Sequence, residues 1–153
     1  MDKKVSDILY GIPNNVDYTE VAEDLDAEDV SESRIEDVKQ LLKNSDKYIV
    51  FQAAKLLTSW GIDDGFNVLT RLFRDHQLFG MFIHRLHGYD DTLQHVLNAL
   101  ISYWATKSDL GSQQREEARK NIYPYVAEII NLSSHSPFEI NGLFWMVVKY
   151  NYT

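Results

Sequence analysis

Cysteine is absent from the 153-residue chain, which excludes a disulfide framework and any thiol chemistry. Proline and glycine are scarce, three and seven residues, and nearly all of them fall between periodic segments. Long apolar runs are missing too: the most apolar stretch near the end, 140–148, is interrupted by Asn141 and is too short to span a bilayer. Met1, Asp2, Lys3 and Lys4 lead into Val5, Ser6, Asp7, Ile8 and Leu9 rather than into an apolar stretch closed by small residues, so no secretory signal is expected. Together these absences predict a cytoplasmic protein with no membrane partner. No run alternates convincingly with the period-two pattern of a strand. No G-x-S-x-G elbow, P-loop or dinucleotide fingerprint occurs, and Asp63, Asp64 and Gly65 lack the spaced ligands and terminal glutamate of a calcium loop.

Against this plain background stands a concentration of negative charge. Between Asp17 and Asp37 lie ten carboxylates (Asp17, Glu20, Glu23, Asp24, Asp26, Glu28, Asp29, Glu32, Glu36 and Asp37) opposed only by Arg34. That segment carries a net charge of −9, and the rest of the chain +1, within a total of −8. Such a surface repels nucleic acid and anionic membrane and attracts a basic partner. Were the segment helical, its 21 residues would span about 31 Å at about 1.5 Å per residue. Its charges would then be spaced close to the phosphates of one DNA strand, at about 3.4 Å. The same acids would also serve as a solubilising polar cap.

Apolar periodicity predicts helices throughout. Val5, Ile8 and Leu9 mark a short opening helix closed by Gly11 and Pro13. Tyr18, Val21, Ala22 and Leu25 form a helical stripe with acids on the opposite face. Ser33 and Glu36 read as a capping box that starts a helix carrying Ile35, Val38, Leu41 and Leu42 and ends near Asn44. Asp46 caps the next helix, which runs to Trp60, is apolar around most of its circumference and ends on Gly61. Asp63 or Asp64 is expected to cap a third, with Phe66, Val68, Leu69, Leu72 and Phe73. A shorter apolar piece covers 78–86. Asp90 or Asp91 opens a long helix through Trp104, and 108–112 is a polar break. A helix from about Gln113 to Leu132 should be kinked or split by Pro124. Ser136, Pro137 and Glu139 start a last one. The expectation is a single all-α domain over 1–153 with an acidic segment at 17–37.

Two stretches echo each other: 61–69 and 88–96 each place an aspartate pair after a glycine and before apolar positions. Ile35, Val38, Leu41 and Leu42, followed by Tyr48 to Leu57 with the pair Ala53–Ala54, then Trp60 and Gly61, resemble a HEAT-like repeat. The resemblance is clear over about 33–73 and decays afterwards. It implies an α-solenoid of antiparallel helix pairs, with an irregular helical bundle as the alternative.

Small acidic proteins of this build are similar to bacterial toxin-immunity proteins of the contact-dependent growth-inhibition class. That similarity rests on build, size and charge, and it implies a protein that occludes the basic active-site surface of a cognate toxin, a nuclease domain above all. Asp17, Glu20, Glu23, Asp24, Asp26, Glu28 and Asp29 are then the partner-binding residues. No catalytic residue, cofactor or metal is expected, and nucleic acid is not a direct partner. A general scaffold gripping a peptide or partner helix is the second reading, and it puts weight on Gln52 and Lys55. An enzyme, acting on nucleic acid or through a metal held by His84 and His87 with His95, Asp90 and Asp91 nearby, has least support: the H-E-x-x-H pattern is missing and Lys and Arg are scattered. Trp60, Trp104 and Trp145 read as core, and Tyr123, Tyr125, Tyr150 and Tyr152 as partly exposed.

Overall fold

The computed structural model describes residues 2–14, 21–78 and 92–133. Among them run six α-helices and two 3₁₀ turns, with no strand: α1 (Lys3–Tyr10), the turns Ala22–Asp24 and Ala27–Asp29, α2 (Glu32–Leu41), α3 (Lys47–Ser59), α4 (Asp63–Arg74), α5 (Thr92–Ser108) and α6 (Ser112–Ser133). The all-α expectation holds. Expected elements at 78–86 and after Ser136, and Trp145, Tyr150 and Tyr152, lie outside the described residues beyond Leu78.

Local chemistry explains the boundaries. The Asp2 carboxylate accepts from the Lys4 amide at 2.7 Å and starts α1. α2 begins earlier than the Ser33 box suggests: Ser31 is the N-cap, its hydroxyl accepting from the Arg34 amide at 3.2 Å, and Ser33 merely pairs with it at 3.1 Å. Asp46 caps α3 as expected, accepting from Tyr48 at 2.9 Å.

At the far end of α3, Gly61 takes φ +78°, the left-handed conformation that only glycine enters without cost. The Ile62 amide then reaches the Leu57 carbonyl and the Gly61 amide that of Thr58, both at 2.9 Å, closing a Schellman motif. The chain re-enters a helix at once, with the Ile62 carbonyl accepting from Gly65 and Phe66. Asp63 and Asp64 therefore arrive one position too late to cap, contrary to expectation, and act instead as first-turn charges on the α4 dipole. α4 ends on a second Schellman turn with His76 at φ 57°.

α3 is the organising helix. Its residues Phe51 to Ser59 are all buried, because it stands between two apolar clusters. One joins Phe51 and Ala54 to Phe66, Leu69, Leu97, Trp104 and Ile122 of the following helices. The other joins Ala53, Leu56, Leu57 and Trp60 to Leu9, Leu25, Val38 and Leu41. α4 lies so close on α3 that a Cβ at Gly65 would collide with the Leu57 side chain and stand 2.9 Å from the Ala54 carbonyl oxygen. Small residues at Ala54 and Gly65 thus bring the two backbones together.

α6 runs unbroken through Pro124, so the proline does not split it. Ala118, Ile122, Val126 and Ile129 make a continuous buried stripe at helical spacing, packed in one cluster with α5. Pro124 and Lys120, whose carbonyl loses its partner, are both exposed, where water replaces the missing bond. No helix among the described residues is long and apolar enough to cross a membrane.

Candidate functional site

Where it is described, the acidic segment enters an α-helix only at its end, where Glu32, Glu36 and Asp37 belong to α2. From Val21 to Val30 it folds as two 3₁₀ turns joined by extended residues at Leu25 and Asp26. The expected stripe is half realised: Ala22 and Leu25 are buried, Val21 is exposed, and Tyr18, with Asp17 and Glu20, falls outside the described residues. A continuous helix would stack like charges at i, i+3 and i+4. Two short turns let Ala22, Leu25 and Val30 reach the core separately. The even helical rise that would have matched phosphate spacing is lost.

What replaces it is an anchored acidic ribbon. The Trp60 indole N–H donates to the Ala22 carbonyl at 2.8 Å. Lys55, whose side chain is only 6% exposed, meets the Glu23 carboxylate at 2.7 Å. Arg34 ties the flanking elements: its Nε and Nη2 both donate to the Ile8 carbonyl, at 3.2 and 3.1 Å, and its guanidinium lies 5.4 Å from the centre of the Trp60 ring. Burial holds its pKa below the usual arginine value, yet the group remains a cation at any physiological pH. The single base within the acidic segment is therefore a structural rivet between α1, α2 and α3, not a charge balanced against surface acids.

The seven predicted contact residues separate accordingly. Glu23 turns inward to Lys55. Asp24, Asp26 and Glu28 are exposed, and Asp29 is half-buried. No lysine or arginine of the described residues pairs with Asp24, Asp26 or Glu28. Asp26, Glu28 and Asp29 each bring one carboxylate oxygen within 4.8 Å of the others, the one such grouping among the described residues. At that separation each like-charge pair costs about 1 kcal/mol even in water-like surroundings. Asp24 is held above the ordinary carboxylate pKa, first by partial burial and second by the Glu23 charge. These residues could accept a cation; Asp26 and Glu28 face solvent, whereas a metal centre holds its ligands rigidly through outer-shell donors.

Beside the ribbon runs a groove of about 570 Å³. Val30, Trp60, Ile62 and Ala105 form its floor, and Asp24, Asp26 and Asp109 stand among its lining residues. The C-terminal ends of α3 and α5 meet there, Thr106 donating to the Ser59 carbonyl at 3.4 Å. Asp63, at the N-terminal start of α4, is already engaged, accepting from the Tyr103 hydroxyl at 2.8 Å and pairing with Lys107 at 3.2 Å.

Gln52 and Lys55, the polar positions expected to serve a gripping face, are both buried. Gln52 donates to the Tyr48 hydroxyl at 2.7 Å and Lys55 is closed over by Glu23. Neither is available to a partner. His84, His87, Asp90 and Asp91 lie outside the described residues, and His95 is half-buried on α5. Of the aromatic expectations, Trp60 and Trp104 are core, Tyr123 is exposed, and Tyr125 packs edge-on against Phe66 and Phe73. No protein-family model, curated protein or solved structure matches this chain.

Proposed function

We propose that this protein is a non-enzymatic binding module whose anchored acidic ribbon docks a basic protein partner. The observation that carries the reading is the division of labour within the ribbon. Ala22, Leu25, Val30 and the Glu23–Lys55 pair fix it to α3, while Asp24, Asp26 and Glu28 face solvent with no cationic partner among the described residues. A ribbon already anchored through Ala22, Leu25, Val30 and Glu23 loses little further backbone freedom on binding. The mutual repulsion of its carboxylates is relieved when a cation arrives, and their field steers a basic surface toward them.

The biological setting that fits is that of an immunity protein covering the substrate-binding lysines and arginines of a toxin, of which a nuclease domain is the most basic kind. The helices would belong to a short HEAT-like stack of antiparallel pairs, α2 with α3 and α5 with α6, within one domain of the cytoplasm. Co-expression with the protein encoded immediately upstream tests the proposal. The expected result is co-purification at moderate salt and loss of that protein's toxicity. Absence of any complex at moderate salt sinks it.

A further inference from the structure

We propose that the groove between the acidic ribbon and the joined C-terminal ends of α3 and α5 receives a short segment of the basic partner in which an arginine or lysine adjoins an apolar residue. This inference rests on the reading of the ribbon as a contact surface and adds to it the place and the chemistry of the contact. The groove's lining contains three carboxylates without a cationic partner among the described residues, Asp24, Asp26 and Asp109, besides the Lys55-paired Glu23, and no lysine, arginine or histidine. The open groove beside α1 differs in kind: Lys3, Lys4 and Arg34 line it together with Asp7 and Asp37, so cations there outnumber carboxylates by one.

The last turns of α3 and α5 border the groove with the negative poles of their dipoles, while α4 starts at Ile62 with its positive pole. The sign of the groove is therefore set by its carboxylates. The floor, by contrast, is apolar, and Leu110 stands 65% exposed at the lip next to Asp109. A carboxylate-only rim above an apolar floor suits an amphipathic cation. The methylene stem of arginine or lysine lies on apolar surface while its charged head reaches the acids. An adjoining apolar residue covers Leu110. A purely polar base would leave the floor wet, and a neutral apolar segment would desolvate carboxylates without compensation.

The test is an amide and indole NMR titration of the full chain at about 150 mM salt. The probes are two short peptides of equal charge, one alternating arginine with leucine and one alternating arginine with glycine. The arginine–leucine peptide should shift the Trp60 indole N–H and the Ala105 and Leu110 amides saturably, and bind about tenfold or more tightly than the arginine–glycine peptide. Ala105→Trp, which fills the groove, and Asp109→Lys, which reverses a rim charge in an exposed turn, should each weaken binding about tenfold. Retained spectral dispersion verifies that each variant is folded, and Asp109→Lys alone suffices if Ala105→Trp is not. Shifts confined to Glu28 and Asp29, or affinities indifferent to both variants, overturn the groove while leaving the acidic ribbon as contact surface. No saturable shift with the arginine–leucine peptide overturns the groove as well. The docking proposal itself stands or falls separately on co-purification with the upstream-encoded protein.

Discussion

Neutralising Glu23 should damage the fold more than neutralising any other acid of the ribbon. The Lys55 side chain is 6% exposed and that of Glu23 36%, with the charged atoms 2.7 Å apart. In Glu23→Gln the buried ammonium keeps a hydrogen-bond acceptor at that position but loses the Glu23 counter-charge. Complete removal of one partner from a fully buried pair costs about 3–5 kcal/mol. Because Glu23 is a third open to water, the loss should lie nearer the range for hydrogen bonds to charged groups, about 1.5–3 kcal/mol. Lys55→Met removes the buried charge itself and keeps its apolar stem, so it should cost less than about 1 kcal/mol. With lysine gone, Glu23→Gln should cost little more, giving a coupling of about 1 kcal/mol or greater in the double-mutant cycle. Urea unfolding of the four proteins, followed by circular dichroism with a common m value, supplies the numbers. A Glu23→Gln loss below about 0.5 kcal/mol would fall within the ordinary range of surface substitutions. It would show that the pair does not anchor the ribbon.

Three further outcomes follow from the packing and charge. Gly65→Ala drives a methyl into the Leu57 side chain and the Ala54 carbonyl, and should lower stability by about 3 kcal/mol, seen as a fall of about 6–12 °C in Tm. An unchanged Tm would mean that α4 does not rest on the α3 backbone. Pro124→Ala restores an N–H to an exposed helix interior and should raise stability, by up to about 3 kcal/mol less whatever the looser unfolded chain takes back; a loss in urea unfolding would refute this. Asp24 has a raised pKa in the folded chain through burial and the Glu23 charge. Its ionised form is thus disfavoured by folding, and any stability it contributes is present below the ordinary carboxylate range and lost as pH rises through its folded pKa. Asp24→Asn should therefore be the more stable protein at neutral pH, by a few tenths of a kcal/mol since the side chain faces solvent. The difference should vanish on acidification, and a difference that grew toward low pH would contradict the assignment.

Much of the helical framework is legible from residue order because its signals are local. Asp46 as a cap, Gly61 as a left-handed stop and the all-round apolarity of α3 each depend on neighbours within a few positions. The misreadings at Ser33 and at Asp63–Asp64 are local as well, and both came from competing caps: Ser31 offers a hydroxyl two residues sooner, and the Schellman turn at Gly61 and Ile62 leads directly into α4. The ribbon was less legible. Its acid content is plain, but the 3₁₀ course is set by Ala22, Leu25 and Val30 finding separate seats on α3. The contacts that decide it, Trp60 to Ala22 and Lys55 to Glu23, join residues more than thirty positions apart. Nothing in the spacing of Lys55 distinguishes a buried base from a solvent-facing one, which is why it passed for a binding residue. The groove was invisible for a related reason: Asp109 and Leu110 belong to a polar break between helices, and only the meeting of α3 with α5 brings them beside the acidic ribbon.

The central claim is that the solvent-facing carboxylates of the ribbon, and not the inward Glu23, are what a basic partner meets. Stopped-flow association with the upstream-encoded protein over a range of salt concentrations tests it most directly, comparing the parent chain with the combined variant Asp24→Asn, Asp26→Asn and Glu28→Gln. The expected result is an association rate reduced about tenfold at low salt, a flatter salt dependence, and unfolding behaviour close to that of the parent. Association that is equally fast and equally salt-dependent in the variant would contradict the claim and leave these acids as a solubilising surface.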